Sequence, residues 1–574
     1  MTGRDGQKVT LSAWRRVLVL AGMLSLPVIL LVQAVALQLE EGEFLQGQGD
    51  QRHLRMDTLS AHRGPILDRH GEALAISAPV DSVWAHPGAL LEKGGAEAIR
   101  VLGDQLGLDP GVLREELEAR RDREFVYIRR HVNPDRARAV MEADLPGVAL
   151  RREYRRFYPA GEVTGHVLGF TNIDDHGQEG IELAYNDWLA GEPGAKRVLR
   201  DRLGRTIEDV ERLREPEPGQ TLTLTLDRRL QYIAYRALKA AVEREQAAGG
   251  SVVLLDVRSG EVLAMVNQPS FNPNRRSDIG GGRSRNRAVT DTYEPGSVMK
   301  PFTVAAALSS GRYHADTPVA TSPGVMRVGR NEVRDIRDFG ELTVSSVLKK
   351  SSNVGAARIA LDLEQGRVWQ LLGRFGFGQP TGVSFPGEAG GHLSGQPSKR
   401  PIERATLAFG YGLSVSTLQL VRAYAAIAAD GQLPVPTLVR GVASAAPTSA
   451  LEPDIARALR TMMTEVTRPG GTATQAAIPG YEVAGKTGTS RKAVAGGYAS
   501  DRYVSTFAGM APASDPRFVA VVSIDEPGRD VYYAGPVAGP VFRRVMGHAL
   551  RLYNVAPDAA LDGEPLTADS EVKP

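Results

Sequence analysis

The chain contains no cysteine. That absence excludes a thiol nucleophile, a disulfide framework, a thiolate metal site and lipid attachment through cysteine. Histidine is scarce, and beyond Thr221 only His314, His392 and His548 occur. None stands in a nucleophile-like context, so a Ser-His-Asp triad finds no support. No metal-ligand spacing occurs either, and nothing calls for a cofactor. Excess charge of one sign is also missing. The net charge of 574 residues is only +2, which points away from nucleic acid. What remains is ordinary globular composition, 42% hydrophobic and 24% charged, on a chain too long for one domain.

One long apolar run is present. Val17 to Leu37 spans about 21 residues, enough at 1.5 Å per residue to cross a ~30 Å hydrocarbon core. Arg4, Lys8, Arg15 and Arg16 precede it, and Glu40, Glu41 and Glu43 follow. The positive-inside rule puts residues 1–16 in the cytoplasm, an anchor at 17–39 and the rest outside. The rival is a cleaved signal peptide, because Ala34-Val35-Ala36 resembles a small-x-small cleavage site. The length of the run favours the uncleaved anchor.

The exported region begins near residue 40. Arg63 to Ala75 reads as strand, glycine-marked turn and strand, and residues 88–145 read as charged helices. Gly177-Gln178-Glu179-Gly180-Ile181-Glu182-Leu183 opens a helix through Leu189. No arrangement of acids, bases or ligands here demands catalysis, so residues 40–220 are expected to form a scaffold or binding domain. Glu215-Pro216-Glu217-Pro218-Gly219 is a breaker cluster and marks the boundary. Beyond it, Asp227 caps a helix with an apolar stripe from Leu230 to Ala241. Strands are expected at Ser251–Asp256, Glu261–Asn267, Tyr481–Thr489, Tyr503–Met510 and Phe518–Asp525. A mostly helical stretch runs from Ser297 to about Thr467, and a last helix covers Val537–Tyr553. Strands at both ends with helices inserted between predict an α+β domain over 221–555, built on one antiparallel sheet. Residues 556–574 read as a disordered acidic tail.

The chemistry is expected at Tyr293-Glu294-Pro295-Gly296-Ser297-Val298-Met299-Lys300. Pro295 and Gly296 punctuate a helix start, and Lys300 lies three residues beyond Ser297, on the same helical face. A serine hydroxyl needs a base within reach, and a lysine serves when burial or a nearby cation keeps it neutral. Free backbone N–H groups at the helix start can stabilise an oxyanion. Ser-x-x-Lys also occurs at Ser346–Lys349 and Ser570–Lys573, so the pattern alone is weak. Two further elements lend it weight. Ser351-Ser352-Asn353 offers a hydroxyl to relay a proton and an amide to bind a peptide, although Ser-x-Asn recurs at Ser270 and Ser284. Lys486-Thr487-Gly488-Thr489 is expected on a strand. Gly485 and Gly488 would admit a substrate backbone, and Lys486 with two hydroxyls would hold a carboxylate. Gly480 to Thr487 also fits the phosphate-loop pattern Gly-x4-Gly-Lys-Thr. That pattern must open a helix, whereas here Gly488-Thr489-Ser490 and then a strand come next.

These three elements in this order resemble the penicillin-recognising serine acyltransferases. The flanks Asn286-Arg287-Ala288-Val289, Phe409-Gly410-Tyr411-Gly412 and Asp525-Glu526-Pro527 are similar too. Arg63-Gly64-x-Ile66-Leu67-Asp68-Arg69, Gly165 to Phe170 and Gly177 to Glu182 narrow the resemblance to class B penicillin-binding proteins of the septal type. It implies an anchored pedestal domain before a penicillin-binding, β-lactamase-like domain, and a peptidoglycan D,D-transpeptidase acting on stem peptides. Matched by position, Ser297 is the nucleophile, Lys300 its base and Ser351 the proton relay. Asn353, Lys486, Thr487, Gly488 and Thr489 form the substrate-binding set, and the N–H groups of Ser297 and Thr489 form the oxyanion hole. Thr487 stands where many relatives carry serine. β-Lactams would acylate Ser297. Implied partners are a septal glycosyltransferase of the FtsW type and other divisome proteins at the bacterial inner membrane. A D,D-carboxypeptidase, a β-lactamase, a β-lactam sensor and a non-catalytic divisome scaffold remain alternatives. No Glu-x-x-x-Asn lies between Asn353 and Lys486, which disfavours a class A β-lactamase.

Overall fold

The computed structural model describes residues 13–39, 54–200, 206–442, 445–494, 496–528 and 531–560. Long-range contacts divide them into two units drawn from interleaved segments. The first takes in described residues of 1–61, 79–153 and 192–217, the second those of 62–78, 154–191 and 218–574.

In the first unit, Ala13–Leu39 forms one helix, and its side chains from Val17 to Val32 lie open to solvent. Such exposure is costly in water and favourable in hydrocarbon, so the helix suits a membrane anchor. Leu54–Leu59 pairs antiparallel with Gly194–Arg200, which pairs with Thr206–Arg214. Helices Gly95–Leu106, Pro110–Glu118 and Pro134–Glu142 supply a separate small core through Ile99, Leu102, Leu106, Leu113, Leu117 and Val140. Asp109 and Asn133 cap the latter two, each followed by proline at the first helical position.

In the second unit, the expected strand-turn-strand at Arg63–Ala75 is present as Ile66–Leu67 and the start of Ala73–Ala85. The single helix expected to open within residues 177–183 and run through Leu189 starts at Gly180 and is broken into Gly180–Ala184 and Asn186–Ala190.

The rest of this unit is layered. Asp227 accepts from Arg229 N–H and caps α1 (Arg228–Glu245), whose buried stripe is Leu230, Ala234, Ala237, Leu238 and Ala241. β1 (Gly249–Asp256) and β2 (Val262–Gln268) are buried along their whole length. The helical layer contains α2 (Lys300–Leu308), a hairpin of β3 (Val325–Val328) and β4 (Asn331–Arg334), and α3 (Val344–Lys350). It continues through α4 (Asn353–Asp362), α5 (Thr417–Ala428) and α6 (Pro453–Thr464). Three strands return as β5 (Ala484–Val494), β6 (Gly497–Ala511) and β7 (Phe518–Asp525), before α7 (Ala534–Leu552). The sheet order is β2-β1-β7-β6-β5, antiparallel throughout, as the α+β expectation required.

α1 and α7 cover one face of the sheet, where Phe507 meets Phe542 edge-on at 4.8 Å. α5 covers the other, and Phe302 of α2 packs among Phe375, Phe377 and Tyr424. Each fully buried large apolar side chain contributes about 1.5–3 kcal/mol, so this core fixes α2 firmly behind the sheet edge. The stretch expected to be helical from Ser297 to Thr467 also holds the β3–β4 hairpin and the pair Pro318–Ala320 with Glu341–Thr343. The tail expected from 556 starts with an anchored segment. Asp558 accepts from Glu482 N–H at 2.8 Å and Ser514 Oγ at 2.8 Å, and the remainder from 561 lies outside the described residues.

Candidate active site

Ser297 lies in a single 3-10 turn, Gly296–Met299, that feeds directly into α2. The turn is clamped by close backbone approaches. Gly296 adopts φ 62°, and its N–H donates to Gly410 O at 3.1 Å. Gly410 itself has φ 86°, and a Cβ there would lie 2.1 Å from Gly296 O. From the other side β5 presses in. A Cβ on Gly488 would lie 2.7 Å from Pro295 O and 2.9 Å from Val298 Cγ1. The face of β5 above Gly488 is therefore filled by the Ser297 turn, while β5 itself forms the outer edge of the sheet. Gly485 is likewise taken up, since a Cβ there would meet the Phe507 ring at 2.5 Å. Tyr424 Oη donates to Val298 O at 2.7 Å and pins the turn from beneath.

Lys300 is fully buried. Its Nζ donates to Asn353 Oδ1 at 2.8 Å, to Ser351 Oγ at 3.2 Å and to the Ser351 carbonyl. Burial lowers its pKa to about 7, with the Asp335 carboxylate acting in the opposite direction. Ser351 ends α3 in the left-handed conformation at φ 58°, and Ser352 caps α4 by accepting from Gly355 N–H at 2.8 Å. The break between the two helices turns Ser351 and Asn353 toward one lysine.

Lys486 is also fully buried, on β5. Its Nζ donates to Ser351 Oγ at 2.9 Å and Thr487 O at 3.0 Å. Burial first, and the Lys300 charge second, hold its pKa well below the ordinary lysine value. Two lysines thus share one neutral hydroxyl, away from the bulk solvent that would spread their charge. Protonating both costs more than protonating one, so the pair favours a state with a free amine at neutral pH.

Ser297, Ser351, Asn353, Thr487, Thr489 and Tyr533 line a cleft of about 400 Å³. Ser297 is partly exposed there, while both lysines sit behind the wall. Thr487 Oγ1 shares a hydrogen bond with Thr472 Oγ1 at 2.8 Å, and Thr489 Oγ1 accepts from Ala534 N–H at 3.2 Å. Every side chain singled out in the sequence is thus in the cleft or directly behind it. Two further residues escape the sequence reading. Thr472 lies in a glycine-rich turn with no motif to mark it. Asp335 follows β4 in a loop and accepts from the first N–H groups of α4.

The decoys separate cleanly. Ser346 Oγ accepts from Thr343 Oγ1 at 3.0 Å at the start of α3, and Lys349 pairs with Glu465 at 2.7 Å. Ser270 Oγ donates to Glu162 and Asn286 is bonded to Asn267, both in structural roles. Ser570–Lys573 lies outside the described residues. Lys486 sits inside a strand, so the phosphate-loop pattern lacks the helix start that would let it cradle a phosphate.

Comparison with known proteins places the chain in a family. Residues 250–547 match the family described as "Penicillin binding protein transpeptidase domain", and residues 58–224 match "Penicillin-binding Protein dimerisation domain". The chain is 40% identical over 566 residues to the "Peptidoglycan D,D-transpeptidase FtsI" of Escherichia coli, covering 98% of this chain and 95% of that protein. It is 40% identical over 537 residues to the "Probable peptidoglycan D,D-transpeptidase PbpC" of Pseudomonas aeruginosa, covering 94% of each. Among solved structures, the transpeptidase domain of penicillin-binding protein 3 from Burkholderia pseudomallei is 43% identical, with a TM-score of 0.54 over 59% of this chain and 98% of that one. A peptidoglycan synthetase from Bifidobacterium adolescentis matches at TM-score 0.70 and 26% identity, over 88% of this chain and 98% of that one. With both family domains in order and relatives 40% identical over nearly the whole chain, the chain belongs to the penicillin-binding proteins of the D,D-transpeptidase type.

Proposed function

We propose that this protein cross-links peptidoglycan stem peptides at the division septum through an acyl-enzyme on Ser297. The observation that carries the proposal is the buried Lys300 amine, held between Ser351 and Asn353 one helical turn from a partly exposed serine. Lys300 in its neutral form takes the Ser297 proton as Oγ attacks the penultimate D-alanine carbonyl. The new C–O bond forms, the oxyanion rests on the N–H groups of Ser297 and Thr489, and the C–N bond to the terminal D-alanine breaks. Ser351 Oγ, hydrogen-bonded to both lysines, passes the proton to the leaving amine. An amine from a neighbouring stem then gives its proton to the same relay, attacks the acyl carbon and frees Ser297. A β-lactam enters by the same first step.

Lys486 touches Ser351 and the Thr487 backbone, so its charge reaches a bound carboxylate across the Thr487 and Thr489 hydroxyls on the cleft wall. Asn353 and Gly488 complete the binding side, the latter by letting β5 lie against the nucleophile turn. Asp335, an acid on the cleft wall, is committed to Ser352 and to two α4 N–H groups. That commitment speaks against its activating water for hydrolysis, and so favours transpeptidation over a β-lactamase or carboxypeptidase.

The exposed apolar helix and the basic residues before it support an inner-membrane anchor with a cytoplasmic N-terminus and the catalytic domain outside. The FtsI-type relatives fit septal placement, and the motif resemblance implies an FtsW-type glycosyltransferase and other divisome proteins as partners. Incubating membranes with a fluorescent penicillin tests the central claim. Wild type should label near 61.7 kDa and Ser297→Ala should not. Equal labelling of the two would move the nucleophile elsewhere, and an unlabelled, folded wild type would end the acyltransferase reading.

A further inference from the structure

With Ser297 and Lys300 as nucleophile and base, the reading on which this inference rests, one more residue acquires a role. Asp335 belongs to none of the three motifs, yet it touches the second and faces the first. It leaves β4 in a loop, with its own N–H donating to Gly324 O at 2.9 Å. Its carboxylate closes over the first turn of α4. Oδ1 accepts from Asn353 N–H at 2.5 Å and Val354 N–H at 3.1 Å, and Oδ2 accepts from Ser352 Oγ at 2.5 Å. The start of an α-helix leaves N–H groups unsatisfied and carries partial positive charge, so a carboxylate binds there strongly.

The preceding residue works on the side chain. Asn353 Nδ2 donates to the Arg334 carbonyl at 3.1 Å. An amide with its nitrogen held there must aim its oxygen the other way, and Asn353 Oδ1 accepts from Lys300 Nζ at 2.8 Å. Two consecutive residues at the end of the β3–β4 hairpin therefore hold both the backbone and the amide orientation of Asn353.

We propose that Asp335 is a positioning residue for the acylation reaction, pinning the Ser352–Asn353 helix start so that Asn353 and Ser351 present acceptors to Lys300, and setting a negative charge against that lysine. The charge opposes burial, which is the effect that makes the amine available. The other charged groups close to Lys300 are Lys486 on β5 and Lys349 and Lys350 at the end of α3. Farther along the packed helices, Arg358 of α4 is exposed, Asp362 pairs with Arg312, and Asp454, Arg457 and Arg460 of α6 pair among themselves and with Asp430. Lys349 is matched by Glu465 after α6, Lys350 donates to Gly470 O at 2.9 Å, and Lys486 shares Ser351 Oγ. Among these groups Asp335 is the anion without a cation committed to it by a salt bridge, so its removal should be felt at Lys300.

The test is the rate of acylation by a fluorescent penicillin, followed from about pH 5.5 to about pH 9 on the full chain in detergent. Asp335→Asn keeps the size and one acceptor oxygen but loses the charge. Its rate-versus-pH curve should rise at a lower pH than wild type, by about half a unit or more. Asp335→Glu, which restores the charge, should return the curve toward wild type. Asp335→Ala, losing the clamp as well, should be slower by about tenfold or more even above the midpoint. A wild-type midpoint and wild-type rate in Asp335→Asn would overturn the proposal. So would a reduced rate with an unmoved midpoint, because that is the mark of a structural role alone. Failure of wild type to label would instead remove the Ser297 reading itself.

Discussion

Two charged clusters are buried in the same unit, and they handle charge in opposite ways. In the first, Arg63 Nε donates to Glu182 Oε2 at 2.8 Å and Arg156 Nε donates to Glu182 Oε1 at 2.7 Å. Asn186 Oδ1 and the Gly64 carbonyl take up further guanidinium donors. Both guanidinium groups there meet the Glu182 carboxylate, one at each oxygen, so neither is left without an opposite charge. In the second, Lys300 and Lys486 meet only neutral acceptors, shared at Ser351. Charge there is relieved by losing a proton, and the lost proton leaves a base. Arginine, which cannot be deprotonated at accessible pH, suits the first cluster; lysine suits the second. Burial alone therefore marks neither function nor scaffold. The sign of the neighbours decides.

The contrast can be broken from the catalytic side first. Lys300→Ala should slow acylation of Ser297 by about 10²–10⁴-fold, the usual contribution of a general base, with the thermal midpoint little lowered. Unchanged acylation kinetics in stopped-flow fluorescence would remove Lys300 as the base. Breaking the other cluster should do the reverse. Glu182→Ala leaves two guanidinium groups buried without their carboxylate and should cost about 3–5 kcal/mol of stability, read in thermal or denaturant unfolding. The molecules that remain folded should acylate at the wild-type rate. A loss of rate per folded molecule would mean that the paired cluster also serves the chemistry.

A milder perturbation sharpens the comparison without any mutation. The proposed base, Lys300, can take a proton only when it is neutral, and burial lowers its pKa to about 7. Acylation should therefore climb as pH rises through about 7 and be roughly tenfold slower at pH 6 than at pH 8. The sign is the same for stability. The folded-state value lies below that of an unfolded lysine, so the unfolded chain binds more protons between about 7 and about 10.5, and this group's contribution favours folding increasingly across that window. A flat rate profile from pH 6 to pH 8 would place the working base elsewhere.

Much of the site is legible in the sequence because its first two members are local. Ser297 and Lys300 are joined by helix geometry, and Gly296 before them announces the turn. The sheet strands are legible because β1, β2 and β7 carry short apolar runs, at residues 252–255, 262–266 and 518–522, rich in valine and bounded by turn signals. The β3–β4 hairpin is not, although Gly329, with φ 63°, marks its turn. Its flanks carry Arg327, Glu332 and Arg334, and a short, largely exposed hairpin gives little apolar alternation to read. Gly488 is recognisable as a close-approach glycine but not its neighbour, since nothing in the sequence says that Pro295 lies above it.

The sequence by itself determined that a serine and a lysine share a helical face, that an apolar helix long enough for a membrane comes before them, and that strands bracket a helical insert. Local rules suffice for each, because 3.6-residue periodicity, turn chemistry and run length act over neighbouring residues. Only the tertiary structure decided that Lys486 points at Ser351 and not into the open cleft, and that Asp335 closes the helix start beneath Asn353. Those contacts join residues far apart in the chain. Their strength comes from burial and dielectric, which exist only once the layers have packed.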